Sequence, residues 1–331
     1  MRETIQRCRL DLSGLVVFTE AASGPYAVTP VLAALAGAET VYAVTRPSRH
    51  GTVQEVVAET DELARLAGVR DRIEIVTEKR RDVVARADIV TNSGHVRPID
   101  AEMVGWMKPS AVVPLMYEAW EFREGDVDLD ACRRRGIRVA GTREDHPLVD
   151  VSSCLGAMAA KLLFEAGLPV CGCNLLLLCD NPFQSYIRDG LVRAGASVEL
   201  RGGLEGEAGD AGRDAAQEAG RDAVVVALLP RPGYVVGAPE AEVIGARWPG
   251  TVVAQFWGDI DRSALQERGV LCWPETAPRR GHMGILLSDL GPDPIIRLQA
   301  AGLKVGEILR KGPGAWSPAE EGLIDRGRAA E

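Results

Sequence analysis

Short apolar runs alternate along the chain with stretches whose apolar residues recur every three to four positions. In the first half GLVVFT, TVYAVT, RIEIVT, DIVTNS, AVVPLM and IRVAGT read as strands. Between them helix patterns run over residues 28–35, 53–67, 80–87 and 101–107, with a short one in DLDACRRRG. Continuously apolar strands are buried on both faces, which is the mark of a parallel sheet covered by helices. The alternation predicts an α/β fold.

At mid-chain, DVSSCLGAMAAKLLFEAG places Val151, Leu155, Met158, Ala159, Leu162, Leu163 and Ala166 on one helical face. Asp150 is a candidate cap and Gly167 a stop. The second half restarts the alternation with NLLLLC, a helix and SVEL. AVVVALLP, a helix over 240–246, TVVAQFW, SALQERG and VLCWP follow. The Gly-, Ala- and Asp-rich LEGEAGDAGRDAAQEAGRD reads as a solvated loop or a poor surface helix. A last long helix begins at DPIIRLQAAGLKVGEILRKG, with Asp293 as N-cap, Pro294 in its first turn and Gly312 at its end. The expected organisation is a Rossmann-like domain over 1–150, a linking helix over 151–170 and a second Rossmann-like domain over 171–280. Residues 281–331 would then supply a helix returning to the first domain.

Composition narrows the function classes. The 331 residues carry a net charge of -9 with no basic block, which argues against a nucleic-acid partner or an anionic membrane surface. No apolar run is long enough to span a bilayer, and MRETIQRCRLDLSG lacks the apolar core of a signal peptide. The seven cysteines are odd in number and form no C-x-x-C pair, and the four histidines are scattered. Reduced thiols in a cytoplasmic protein without a metal site are expected.

Three stretches carry a family pattern. ADIVTNSGHVRPID is a strand running into a Ser-Gly turn. AVVPLMYEAWEFREGDVDLDACRRRGIRVAGT is a strand, an Asp-containing turn, a helix and a strand opening on Gly-Ile. RRGHMGILLSDLGPDPIIRLQAAGLKVGEIL is a Gly-His turn before a final helix. In that order, over residues 88–312, the chain resembles the D-isomer-specific 2-hydroxyacid dehydrogenases. The resemblance implies two Rossmann-like domains with a cleft between them, NAD or NADP as cofactor, a small anionic hydroxy- or keto-acid substrate, and a homodimer. It implies that backbone N–H groups of the Ser93–Gly94 turn hold a carboxylate, that His282 is the acid/base, and that Glu275 is its partner. The family's arginine has no counterpart in AQFWGDIDRSAL, where Phe256 or Trp257 stands in its place; Arg97, Arg123, Arg279 and Arg280 are substitutes.

The nucleotide turn departs from the family too. CDNPFQS puts Asp180, Asn181, Pro182, Phe183 and Gln184 where glycines approach a diphosphate, although a helix N-terminus remains. Arg201, Pro230, Trp257, Gly258 and Asp259 lie at the following strand ends and complete the candidate cofactor set. A turn shaped only for packing is the competing reading.

Other strand ends offer further candidates. EAASGPY, with Arg46, Ser48 and Arg49 after the next strand, suits a reader of the NADP 2′-phosphate, a substrate-anion site or a solvated basic loop. The same layout, with Glu20, faintly resembles the first motif of S-adenosylmethionine-dependent methyltransferases. Tyr117, Glu118, Trp120, Glu121 and Arg123 could wall a pocket, and His95 is a second acid/base candidate beside Glu118. An NAD(P)-dependent oxidoreductase is the leading expectation. A lyase, isomerase or transferase working by acid/base chemistry on the same scaffold is the alternative, and a cofactor-free binding or regulatory protein is the third.

Overall fold

The computed structural model describes residues 1–204 and 220–327. Most of the Gly- and Ala-rich stretch therefore lies outside the described residues. The chain forms two compact units: Met1–Val151 with Gly291 onward, and Ser152–Leu290.

Unit 1 opens with α1 (Arg2–Cys8), β1 (Val16–Glu20), α2 (Val28–Leu35), β2 (Thr40–Val44), α3 (Val53–Ala67) and β3 (Ile73–Val76). It continues through α4 (Arg81–Val84), β4 (Ile89–Val90), α5 (Ala101–Trp106), β5 (Val112–Pro114), α6 (Leu129–Arg135) and β6 (Arg138–Thr142). Local chemistry sets many of these boundaries. Thr52 and Glu55 close a capping box at the start of α3, and Gly68 ends it in the left-handed region at φ 74°. Asp100 and Asp128 cap α5 and α6 through their carboxylates.

Unit 2 contains α7 (Cys154–Glu165), β7 (Asn174–Leu178), α8 (Gln184–Arg193), β8 (Ser197–Arg201) and β9 (Ala223–Ala227). It ends with α9 (Ala238–Arg247), β10 (Val252–Trp257), α10 (Arg262–Glu267) and β11 (Leu271–Trp273). Its five strands are all parallel, in the order β11-β10-β9-β7-β8. The run Leu175–Leu178 is wholly buried because alternate residues feed two cores. Leu175 and Leu177 pack with Leu162 and Ile187; Leu176 and Leu178 pack with Ile244, Trp248 and Leu265.

The chain then returns to unit 1 through α11 (Pro292–Lys311), α12 (Pro318–Leu323) and β12 (Ile324–Asp325). The sheet of unit 1 runs β12-β6-β5-β4-β1-β2-β3 and is parallel except for β12, which pairs antiparallel with β6. Helix α11 packs on α2, β5 and β6. Its Gly302 and Gly306 permit this, because a Cβ there would lie 2.5 Å from Met116 Sδ and 2.9 Å from Ile89 Cγ2.

The two-sheet α/β class with a returning C-terminal helix is what the structure shows. Two caps differ from expectation. Helix α11 begins at Pro292 with Gly291 as N-cap, because proline's fixed φ suits the first turn; Asp293 instead pairs with Arg297 at 2.7 Å. Ser153, not Asp150, precedes α7, while Asp150 takes a left-handed φ of 47°. Residues 281–290, expected with the C-terminal segment, pack in unit 2.

Candidate functional site

In a doubly wound sheet, ligands bind beyond the carboxyl ends of the strands where strand order reverses. In unit 1 that point lies between β1 and β4. Strand β1 ends in Glu20, and β4 leads into Thr91-Asn92-Ser93-Gly94-His95. A buried chain of hydroxyls ties the two together: Thr91 Oγ1 lies 2.8 Å from Thr19 Oγ1 and 2.9 Å from Ser93 Oγ. Glu20 is 7% exposed and accepts the His95 backbone N–H at 2.9 Å. Burial pushes its carboxyl above the ordinary carboxylate range, against the His95 and Gly94 N–H groups and the charges of Arg97 and Arg46.

Arg46, just beyond β2, reaches across this turn and donates to the carbonyls of Gly94 and Arg97, both at 3.4 Å. Arg97 is spent on Asp126 at 2.9 Å, and the Tyr117 hydroxyl donates to the same carboxylate oxygen at 2.8 Å. The His95 imidazole is held below its usual pKa by burial and by Arg46 and His50, which favours its neutral form.

The ends of β5 and β6 carry acids. Glu118 accepts the Trp120 indole N–H at 2.6 Å and the Glu144 backbone N–H at 3.2 Å, and burial raises its pKa. Burial and the charge of Glu118 push Glu121 up to about 7. Burial, Glu121 and Glu118 raise Glu144 as well. Tyr26, in the turn after β1, is pushed up to about 12 by burial and by Glu20, Glu144 and Glu121. Arg123 is exposed beside this group. The edge is therefore divided, with Arg46, Arg97 and an imidazole shifted toward its neutral form on one side and carboxyls of raised pKa on the other.

In unit 2 strand order reverses between β7 and β9. The turn after β7 is Cys179–Phe183. Asn181, 6% exposed, donates from Nδ2 to the Ala227 carbonyl at 2.6 Å and accepts the Phe183 N–H at 3.1 Å. Its side chain thus builds the turn that glycines would otherwise shape. Asp180 accepts the Leu229 N–H at 2.8 Å, in the segment that carries Pro230 beyond β9. Gln184 starts α8, which has no side-chain cap. Phe183 stacks on Trp257 at the end of β10, with ring centroids 5.6 Å apart. Arg201, at the end of β8, pairs with Glu199 at 2.6 Å.

The turn bearing His282 is pinned to the end of β10. Asp259 accepts the Gly281 N–H at 2.9 Å, and the Trp257 indole donates to the Gly281 carbonyl at 3.3 Å. Gly258 has φ 94°, and a Cβ there would lie 2.7 Å from Val235 Cγ2. His282 itself is exposed, and its N–H donates to the Arg279 carbonyl. Glu275 is exposed and offers its carbonyl to Arg262. The structure thus brings Trp257, Gly258 and Asp259 to the His282 turn, and Ser93, Gly94, His95 and Arg97 to Glu20. His95 and Glu118 belong to unit 1, His282 and Glu275 to unit 2.

Glu144 and Asp126 were not singled out from sequence, and Tyr26 only as part of its turn. Glu20 carried a different reading. Their partners lie 75 residues away or across strand ends, where no local pattern reports them. The one local signal is an acid closing the apolar run VVFTE. Among the described residues no three or more His, Cys, Asp or Glu side chains are grouped to hold a metal, and no helix is long and apolar enough to cross a membrane.

No protein-family model and no curated protein matches the chain. Solved structures do. The dipicolinate synthase A chain of Bacillus subtilis aligns over 92% of this chain and 98% of its own, at 10% identity and a TM-score of 0.54. The chain shares its fold with that synthase. The corresponding dipicolinate synthase chain of Bacillus halodurans aligns over 91% and 98%, at 13% identity and a TM-score of 0.50. D-isomer-specific 2-hydroxyacid dehydrogenases also stand among the similar structures. One is the NAD+-bound 3-phosphoglycerate dehydrogenase of Entamoeba histolytica, at 13% identity over 92% and 99%, with a TM-score of 0.47.

Proposed function

We propose that the protein is an NAD(P)-dependent oxidoreductase of the 2-hydroxyacid dehydrogenase kind, acting on a small anionic hydroxy- or keto-acid-like substrate. The observation that carries this reading is the start of α8 at the β7/β9 reversal, where no side chain caps the helix. The positive end of a helix dipole at a strand-order reversal suits a diphosphate. The charge of Asp180, which would oppose a diphosphate, is engaged by the Leu229 N–H. Glycines are dispensable in this turn because Asn181 supplies the hydrogen bonds that close it.

The residues present therefore fit the cofactor. The first turn of α8 would hold the diphosphate, and the Phe183–Trp257 pair would flank a ring. When bound, the nicotinamide would supply or accept the hydride. His282 is the proton carrier that the resemblance implies; within unit 1, His95 and Arg46 are a second proton carrier and a cation for an anionic group. A homodimer goes with this reading.

Calorimetry with NADH and NADPH tests it. Micromolar binding of either, weakened at least about tenfold in Phe183→Ala (about 1.4 kcal/mol), is the expected outcome. Absence of binding to both overturns the redox reading and leaves acid/base chemistry without hydride transfer.

A further inference from the structure

The Ser93–His95 turn offers backbone N–H groups to a carboxyl, and a carboxyl of the chain itself sits in it. Successive backbone N–H groups converging on one point form a nest for negative charge. Here the His95 N–H donates to Glu20 Oε2 at 2.9 Å, and the Gly94 N–H faces the same carboxylate. The Thr19–Thr91–Ser93 hydroxyl chain fixes the turn beside β1. Gly94 lies close against the carboxyl, since a Cβ there would stand 3.3 Å from Glu20 Oε2. Neither nearby arginine takes Glu20 as a bonded partner: Arg97 bonds Asp126 and Arg46 bonds two carbonyls. The backbone groups that hold Glu20 are those an incoming carboxylate would require. Two carboxylates cannot share them while both stay ionised.

We infer that Glu20 is the built-in occupant of this anion site. The group a substrate presents to the turn is then a hydrogen-bond donor, a hydroxyl or an ammonium, and its carboxylate is carried by Arg46. The statement about substrate rests on the function proposed above; the occupancy of the nest does not. Glu20 is on this account a specificity-determining residue that turns carboxylates away from the β1/β4 reversal.

The test uses the full chain without cofactor. Thermal unfolding of wild type, Glu20→Ala and Glu20→Gln is followed with sodium acetate, and with sodium chloride at equal ionic strength. Acetate binding to the emptied nest raises the melting temperature of Glu20→Ala by about 3 °C over chloride. Wild type and Glu20→Gln, whose side chains still fill the nest, do not respond. Lack of an acetate-specific rise in Glu20→Ala overturns the inference, and so does an equal rise in wild type. If the alanine variant does not fold, Glu20→Ser takes its place. A response in wild type or Glu20→Gln decides against the inference in either case. Failure of NADH and NADPH to bind alongside an intact acetate response would refute the proposed function and leave the occupied nest standing.

Discussion

Helices α7 and α8 cross at a pair of glycines, and adding one methyl group there tests how the candidate nucleotide turn is supported. A Cβ on Gly190 would lie 2.4 Å from Gly156 Cα and 3.1 Å from its carbonyl carbon. Carbon atoms in contact sit about 3.5–4.0 Å apart, so the helices must part by roughly 1 Å. The obstructing atoms are backbone and cannot rotate away. Separation loosens an interface that buries Leu155, Met158, Ala159 and Leu162 of α7 with Ile187 and Leu191 of α8. Overpacking of this kind costs about 1–3 kcal/mol and occasionally more. The better helix propensity of alanine returns about 0.8–1.0 kcal/mol. Because backbone meets backbone, the clash should exceed the gain, for a net loss of about 2 kcal/mol and a fall of about 4–8 °C in melting temperature. Gly105→Ala in α5 is the control: nothing lies within 4 Å of its Cβ, so it should stabilise by up to about 1 kcal/mol. Urea unfolding followed by far-ultraviolet circular dichroism reads both. Since α8 carries Gln184 and the first turn of the helix, Gly190→Ala should also weaken NADH binding. A Gly190→Ala protein as stable as Gly105→Ala would refute the reasoning.

Two further outcomes follow from buried charge. Lys304 and Glu307 are each 4% exposed, with Lys304 Nζ 2.8 Å and 2.9 Å from the two carboxylate oxygens. Lys304→Met leaves Glu307 only Lys311 and the Asp11 N–H, and should cost about 3 kcal/mol in urea unfolding. Lys304→Met combined with Glu307→Leu should recover much of that loss, and a double variant worse than the single would contradict it. Glu121 binds its proton more tightly folded, at about 7, than at the ordinary value of 4.5. Between those values the folded state holds more protons than the unfolded, so this group's contribution makes stability fall as pH rises from 4.5 through 7. Glu121→Gln should flatten that part of the melting-temperature profile; an unchanged slope would show that other groups set it.

The fold was legible where information is local. Helix α3 begins at Thr52 and stops at Gly68 because its cap, its capping glutamate and its stop are neighbours in sequence. The run Leu175–Leu178 announced a strand buried on both faces, whichever core each leucine serves. Helix α1 was missed, since seven residues without a side-chain cap give little period to read. Strand β12, two residues long, exists through its pairing with Thr142 and Gly141. The site was less legible for the same reason. CDNPFQS left a cofactor turn and a packing turn both open, and how the turn is closed could not be read from it, because the partner of Asn181 is the carbonyl of Ala227, 46 positions on. Ser93–His95 looked like an empty cradle, because Glu20 reaches it from another strand.

Unit 2 is one unbroken stretch of chain, whereas unit 1 is closed by residues that follow it. A ribosome therefore delivers all of unit 2 before α11 leaves the exit tunnel. Until then the nascent unit 1 lacks the helix whose Gly302 and Gly306 lie against Met116 and Ile89. The part of its sheet that α11 covers, at β5 and β6, waits exposed for the synthesis time of an entire domain, about 7–30 s at 5–20 residues per second. A message cut short after Leu290 would yield a finished inner unit attached to a sticky, incomplete host, a natural client for chaperones.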